Sequence, residues 1–146
     1  MKTVSTVGRV SLFALAIAAL GFMSSCGGGG GGPEKPDVAA MLKSGQWKVQ
    51  TVTVGGANQI SLFTGLTVTF SASSFSASNG GPVWPSSGTW TLNTAGTIIT
   101  RGDGLTVTID NISETSLKVS LDWDQTTLGG GRIESIEGSH VFTFGK

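Results

Sequence analysis

"LTVTIDNISETSLKVSLDW", residues 105–123, reads as two alternating ribbons joined by a short polar turn. In the first, Leu105, Val107 and Ile109 fall on one side, with Thr106, Thr108 and Asp110 on the other. In the second, Leu117, Val119, Leu121 and Trp123 alternate with Lys118, Ser120, Asp122 and Asp124. A period of two belongs to an extended strand with one greasy face, and Thr, Val, Ile and Trp suit a pleated, half-buried surface. Between the ribbons, "NISET" at 111–115 supplies the Asn, Ser and Thr of a turn. The pair predicts an antiparallel hairpin with one buried side.

The pattern continues in both directions. "QWKVQTVTV" (46–54), "LTVTFSA" (66–72), "SFSAS" (74–78), "TWTLN" (89–93), "TIIT" (97–100) and "HVFTF" (140–144) are further strand candidates. "GGAN" (55–58), "SNGGP" (78–82), "NTAG" (93–96), "RGDG" (101–104) and "LGGGR" (128–132) punctuate them. Strands at a spacing of about ten residues, with short connections and no helical crossovers, make sequence neighbours antiparallel neighbours. Such a meander either closes into a barrel or folds into a sandwich. Closure is favoured, because a one-sided sheet left open exposes two unpaired edges. "DVAAMLKSG" (37–45) is the one helix expected after the leader, with Asp37 as its cap and Gly45 as its stop. The fold class expected is all-β: an antiparallel up-and-down eight-stranded barrel with a short N-terminal helix.

Upstream the chain changes character. Lys2 and Arg9 give a positive start, and "VSLFALAIAALGFM" (10–23) has the length of a signal-peptide core. It is short for a membrane-spanning helix. "FMSSC" then ends on Cys26, the only cysteine among 146 residues. This stretch resembles the lipobox of bacterial lipoproteins, in which the cysteine is acylated and becomes the new N-terminus. The resemblance implies a signal peptide over 1–25 and Cys26 as the lipidation site, with acyl chains anchoring the chain to a membrane. Two or three acyl chains hold firmly where one holds marginally. The alternative is an ordinary secretory signal with a leftover thiol.

Residues 26–37, the cysteine and "GGGGGGPEKPD", form a tether, since glycine loses most entropy on ordering and Pro33 and Pro36 lack donors. Similar glycine-rich tethers follow the lipidated cysteine of outer-membrane and surface lipoproteins, which points to the outer membrane without choosing a face. Loss of residues 1–25 leaves seven basic groups against nine acidic ones, a formal charge of −2. That balance provides no footprint for nucleic acid. Residues 38–146 leave room for one small domain, stabilised by its own core because a lone cysteine makes no internal bridge.

Gly45-x-Trp47 stands where the helix hands over to the first strand, and Gly88-x-Trp90 repeats the spacing in "SGTW". Together with the meander, the closing "FTF" and the lipobox, this resembles the small lipocalin-like domains of bacterial lipoproteins over about residues 38–146. The resemblance implies an apolar barrel interior that holds a small hydrophobic molecule. Trp47, Phe70, Trp90, Trp123, His140 and Phe142 are the candidate contacts. An eight-stranded barrel is only just wide enough for side chains to fill it, so a solid interior is the favoured alternative to an open cavity.

Catalysis is not expected. One histidine and one cysteine make no zinc site, and no Gly-x-Ser-x-Gly elbow exposes a nucleophile. No cofactor is expected. Asp122 and Asp124 flank Trp123 but fall short of the six or more oxygens calcium takes. "RGDG" contains the tripeptide adhesion receptors read, yet a tight hairpin asks for the same residues. His140 alternates with Phe142 and Phe144 and is either a bonded core histidine or a ligand contact. Trp84, between Pro82 and Pro85, is either an exposed anchor or a plug over the barrel end. "DQTTLGGGRIES" (124–135) is the longest irregular stretch expected. Two functions follow from different classes: a lipid-anchored, non-enzymatic carrier of a small apolar ligand, or a surface interaction protein, inhibitor or adhesin, working through the Trp84 and Gly129–Gly131 loops.

Overall fold

Helix α1 (Val38–Lys43) begins where Asp37 accepts a hydrogen bond from the Ala40 N–H at 2.9 Å, the expected N-cap. Its other end differs from expectation: Ser44, not Gly45, is the closing residue, its hydroxyl donating to the Met41 carbonyl at 2.6 Å. A serine that bonds back onto the last turn satisfies the same orphan carbonyl that a left-handed glycine would. The structure is a computed structural model and describes residues 36–146. The leader at 1–25, Cys26 and the glycine run at 27–32 lie outside the described residues.

Eleven strands follow: β1 (Gln46–Val54), β2 (Ala57–Asn58), β3 (Thr67–Phe70), β4 (Ser74–Ser78), β5 (Ser87–Leu92), β6 (Ile98–Arg101), β7 (Thr106–Ile112), β8 (Ser116–Trp123), β9 (Thr127–Gly129), β10 (Arg132–Ser135) and β11 (Gly138–Gly145). Eight of them, in the order β11-β8-β7-β6-β5-β4-β3-β1, form one antiparallel sheet, and β1 pairs back onto β11 from Lys48↔Gly145 to Val54↔His140. The sheet is therefore a closed up-and-down barrel, and closure removes the edges an open meander would expose. The two-residue β2 adds only to the end of β1, and β9 and β10 form a separate hairpin.

The inward alternation is as the ribbons predict: Val107 and Ile109 on β7, Leu117, Val119 and Leu121 on β8, and Phe142 and Phe144 on β11 are all buried. On β1 the register shifts between Val49 and Thr51. This bulge explains why Trp47 is out of step with Val52 and Val54 while all three are buried. Each large apolar side chain fully removed from water contributes about 1.5–3 kcal/mol.

Antiparallel order fixes the two ends. Helix α1, the β3–β4, β5–β6 and β7–β8 turns and Lys146 gather at one, the helix end. Residues 55–66, the β4–β5 loop, the β6–β7 turn and the β9–β10 hairpin gather at the other, the loop end. Pro36 shares a surface depression with Val38 and the turn residues Asn93 and Gly96, so the chain enters at the helix end.

Candidate functional site

The helix end is closed by polar bonds made from apolar rings. Trp47, fully buried, donates its indole N–H to the Leu42 carbonyl of α1 at 2.9 Å. Lys146 lies over the same ring, its Nζ 4.3 Å from the centroid, and also reaches the Ser44 hydroxyl. Trp90 donates to the Ser71 and Ser74 carbonyls at 3.1 and 3.0 Å, pinning the β3–β4 turn, and Phe70 meets it edge-on at 5.2 Å. The two Gly-x-Trp tryptophans thus each tie a segment at the helix end to the barrel, Trp47 the helix and Trp90 the β3–β4 turn.

At the loop end the interior receives side chains from outside the strands. A 3-10 turn at Ile60–Phe63 drops Phe63 onto Phe142, with ring centroids 5.0 Å apart. The β4–β5 loop folds inward and buries Trp84 to 2% exposure against Phe75, Phe142 and Phe144. Trp84 is therefore the plug and not the exposed anchor. Gly80 permits this inward fold, since a Cβ there would overlap the Cβ of Trp84.

Arg101 holds the plug down. The residue is 3% exposed, and its guanidinium donates to the Val83 carbonyl at 2.5 Å, pairs with Asp103 and lies over Trp84 and Phe75, 5.5 and 5.6 Å from their centroids. Burial works to raise the pKa of Asp103, but hydrogen bonds from Arg101 and the Leu105 N–H, together with the Arg101 charge, hold it below the usual carboxylate value. An arginine committed in this way is not displayed to a receptor, so "RGDG" is a β6–β7 turn. The parity of "IITR" carried the signal: Ile99 and Arg101 share the inward phase.

His140 is fully buried between Phe63, edge-on at 6.0 Å, and Phe142, stacked at 5.8 Å. Its Nδ1 lies 2.9 Å from the Gly138 carbonyl, while Nε2 has no partner among the described residues. Burial pushes its pKa below the ordinary histidine value, against the opposing pull of the Gly138 carbonyl and Asp122.

The six candidate ligand contacts divide by place. Trp47, Phe70 and Trp90 pack the helix end, and His140 and Phe142 pack beneath the loop end. Trp123 stands at the rim, half-buried, lining a surface groove of about 530 Å³ with Asp103, Asp122 and Asp124. Five of the six are thus buried in one aromatic core and touch protein. Cys26 lies outside the described residues.

The stretch expected to be irregular contains the β9–β10 hairpin. Gly130 and Gly131 form its tip at φ +55 and +80, a left-handed pair that a two-residue hairpin turn requires. Its base is fixed by Ser135, fully buried, whose hydroxyl accepts from the Trp123 indole and the Thr127 N–H and donates to the Gln125 carbonyl, each at 3.2 Å. Beyond that anchor, Leu128 and Ile133 face each other across the ladder at 72% and 48% exposure. Sequence reasoning missed this pair; two apolar residues flanking Gly130-Gly131 were the available signal. Comparison of the chain with protein-family models, with curated proteins and with solved structures finds no match.

Proposed function

We propose that the chain is a lipid-anchored lipoprotein of the cell envelope, held at the outer membrane through acyl chains on Cys26. Its lipocalin-like barrel works as a non-enzymatic interaction module and not as a carrier. The observation that supports this reading is Trp84: an indole from the β4–β5 loop, backed by Phe142 and Phe144, occupies the interior where an apolar ligand would sit. A barrel of eight strands has room for side chains or for one small molecule. The exposed apolar residues belong instead to the loop end, opposite the point where the chain enters.

Two measurements test the two halves of the proposal. Metabolic labelling with a fatty-acid analogue is expected to mark the wild type and not Cys26→Ser; an unlabelled wild type removes the anchor. Titration with a fluorescent apolar probe is expected to give no saturable quenching of the tryptophans. Stoichiometric quenching, lost in Trp90→Ala without unfolding, would restore the carrier.

A further inference from the structure

Toward the loop end, β6 leaves β5 partway along it. Their pairing runs from Leu92↔Ile99 to Trp90↔Arg101 and closes on a bond from the Gly102 N–H to the Thr89 carbonyl at 2.9 Å, after which the chain turns away into β7. β5 continues past this point with β4 alone, from Ser74↔Thr89 to Ser76↔Ser87. The Trp90 N–H and the Ser86 carbonyl are bonded to Ser73 and Ala77, on the β4 side. Alternation then turns the N–H and C=O of Ser87 the other way, toward the gap. That gap is a slot of about 260 Å³, walled by Pro85 and Phe75 and by Arg101 and Asp103.

Arg101 brings an unused donor to the slot. The residue is 3% exposed, and its buried Nε–H has no partner among the described residues. Nε and Nη2 lie on one edge of the planar guanidinium, an edge that grips a carboxylate with two parallel bonds. Only half of that grip is made here. Nη2 is bonded to Asp103 Oδ2, while Asp103 Oδ1 accepts from the Leu105 N–H at 3.2 Å instead. The Nε–H therefore points to the same side as Asp103, toward the slot that Asp103 lines, and a buried donor of this kind calls for an oxygen.

We infer that the slot takes one neutral sugar ring, with a hydroxyl that accepts from the Arg101 Nε–H and donates to Asp103. The inference goes beyond the interaction-module reading and stands without it. An anion would set its charge against Asp103, which already meets that of the arginine. A hydroxyl accepts and donates through one oxygen, and the slot asks for both. Ser87 adds a backbone N–H and C=O, and the exposed Ser87 and Thr89 carry hydroxyls at the mouth. Pro85 and Phe75 offer an apolar wall to the C–H face of a ring. At about 260 Å³ the slot is smaller than the roughly 300–1,000 Å³ of pockets for drug-sized ligands, so it holds one ring and not several. The surroundings agree: the outward residues of β4 and β5 are Ser74, Ser76, Ser78, Ser87, Thr89 and Thr91, a hydroxyl surface without a charge on which the rest of a neutral glycan can lie.

The test is a proton–nitrogen NMR titration of the full-length protein in detergent with the methyl glycosides of glucose, galactose, mannose and N-acetylglucosamine. At least one is expected to shift the Arg101 Nε–H and the Ser87 N–H together, saturably and with one-to-one stoichiometry. Its binding should weaken at least tenfold in Arg101→Lys, whose single ammonium lacks the second parallel donor. It should weaken at least threefold in Thr89→Val, a change at an exposed hydroxyl that leaves the melting of the barrel unaltered and serves if the lysine variant does not fold. An Arg101 Nε–H that answers none of the four sugars, its partner a solvent molecule only, overturns the inference. So does a response to acetate, phosphate or N-methylacetamide in place of the sugars. A sugar whose shifts cluster around Trp123 and spare Arg101, or whose affinity is unchanged in either variant, overturns it as well.

Discussion

The guanidinium of Arg101 lies over the indole of Trp84 and donates to the carbonyl of Val83 beside it, so one buried cation holds both the plug and its backbone. A hydrogen bond from a charged group contributes about 1.5–3 kcal/mol, and removing the donor leaves a buried carbonyl without a partner. Arg101→Met should therefore cost about 2–3 kcal/mol in urea unfolding and raise the acrylamide quenching of Trp84. Asp103→Asn, at a half-exposed partner, should cost less than about 1 kcal/mol. Equal losses in the two variants would show that the ion pair, and not the bond to Val83, holds the loop.

Gly88 is a steric necessity and not a turn residue. A Cβ there would stand 2.7 Å from Cε1 and 2.9 Å from Cζ of Phe75. The Phe75 ring cannot retreat freely, being buried against Phe70 and Trp84. Gly88→Ala should lower stability by about 1–3 kcal/mol, the usual cost of overpacking, read as a shift in urea midpoint at constant slope. Phe75→Leu in the same background should recover part of the loss.

The barrel was legible because β7, β8 and β11 each repeat an apolar residue at every second position over several residues, and a period of two has one structural meaning. The same logic had no purchase on β9 and β10. Each is three or four residues long with a single large apolar side chain, so there was no alternation to count, and three glycines hid which two made the turn. Trp84 was ambiguous for a different reason. Two flanking prolines describe a surface loop correctly, but where its side chain goes depends on the rings of Phe75, Phe142 and Phe144 on other strands. Ser135 had no local signal at all, since its role exists only once Trp123, Gln125 and Thr127 surround it.

His140 should make the barrel acid-sensitive. Its pKa is lowered in the folded state, so the unfolded chain binds the proton more readily. The stability contributed by the neutral imidazole is complete above the unfolded value of about 6.5 and is lost as pH falls from there toward the depressed folded value. Urea midpoints should decline over that window in the wild type and decline less in His140→Leu, which removes the titrating group from between Phe63 and Phe142. A wild-type midpoint that rises on acidification through this range would contradict the burial argument.

Trp84→Ala separates a barrel that is filled from one that merely looks closed. Removing a buried tryptophan side chain should cost about 3–5 kcal/mol, because Phe75, Phe142 and Phe144 line the vacated space and belong to strands that cannot collapse into it. A cavity with apolar walls stays dry and accepts small aromatic molecules. Indole should then bind Trp84→Ala with one-to-one stoichiometry by calorimetry and raise its melting temperature, while leaving the wild type unchanged. Trp84→Leu, which keeps more of the core, should bind benzene but not indole and serves if the alanine variant does not fold. Indole binding to the wild type with the same affinity would mean that the loop yields its place readily, and the carrier reading would again be the better one.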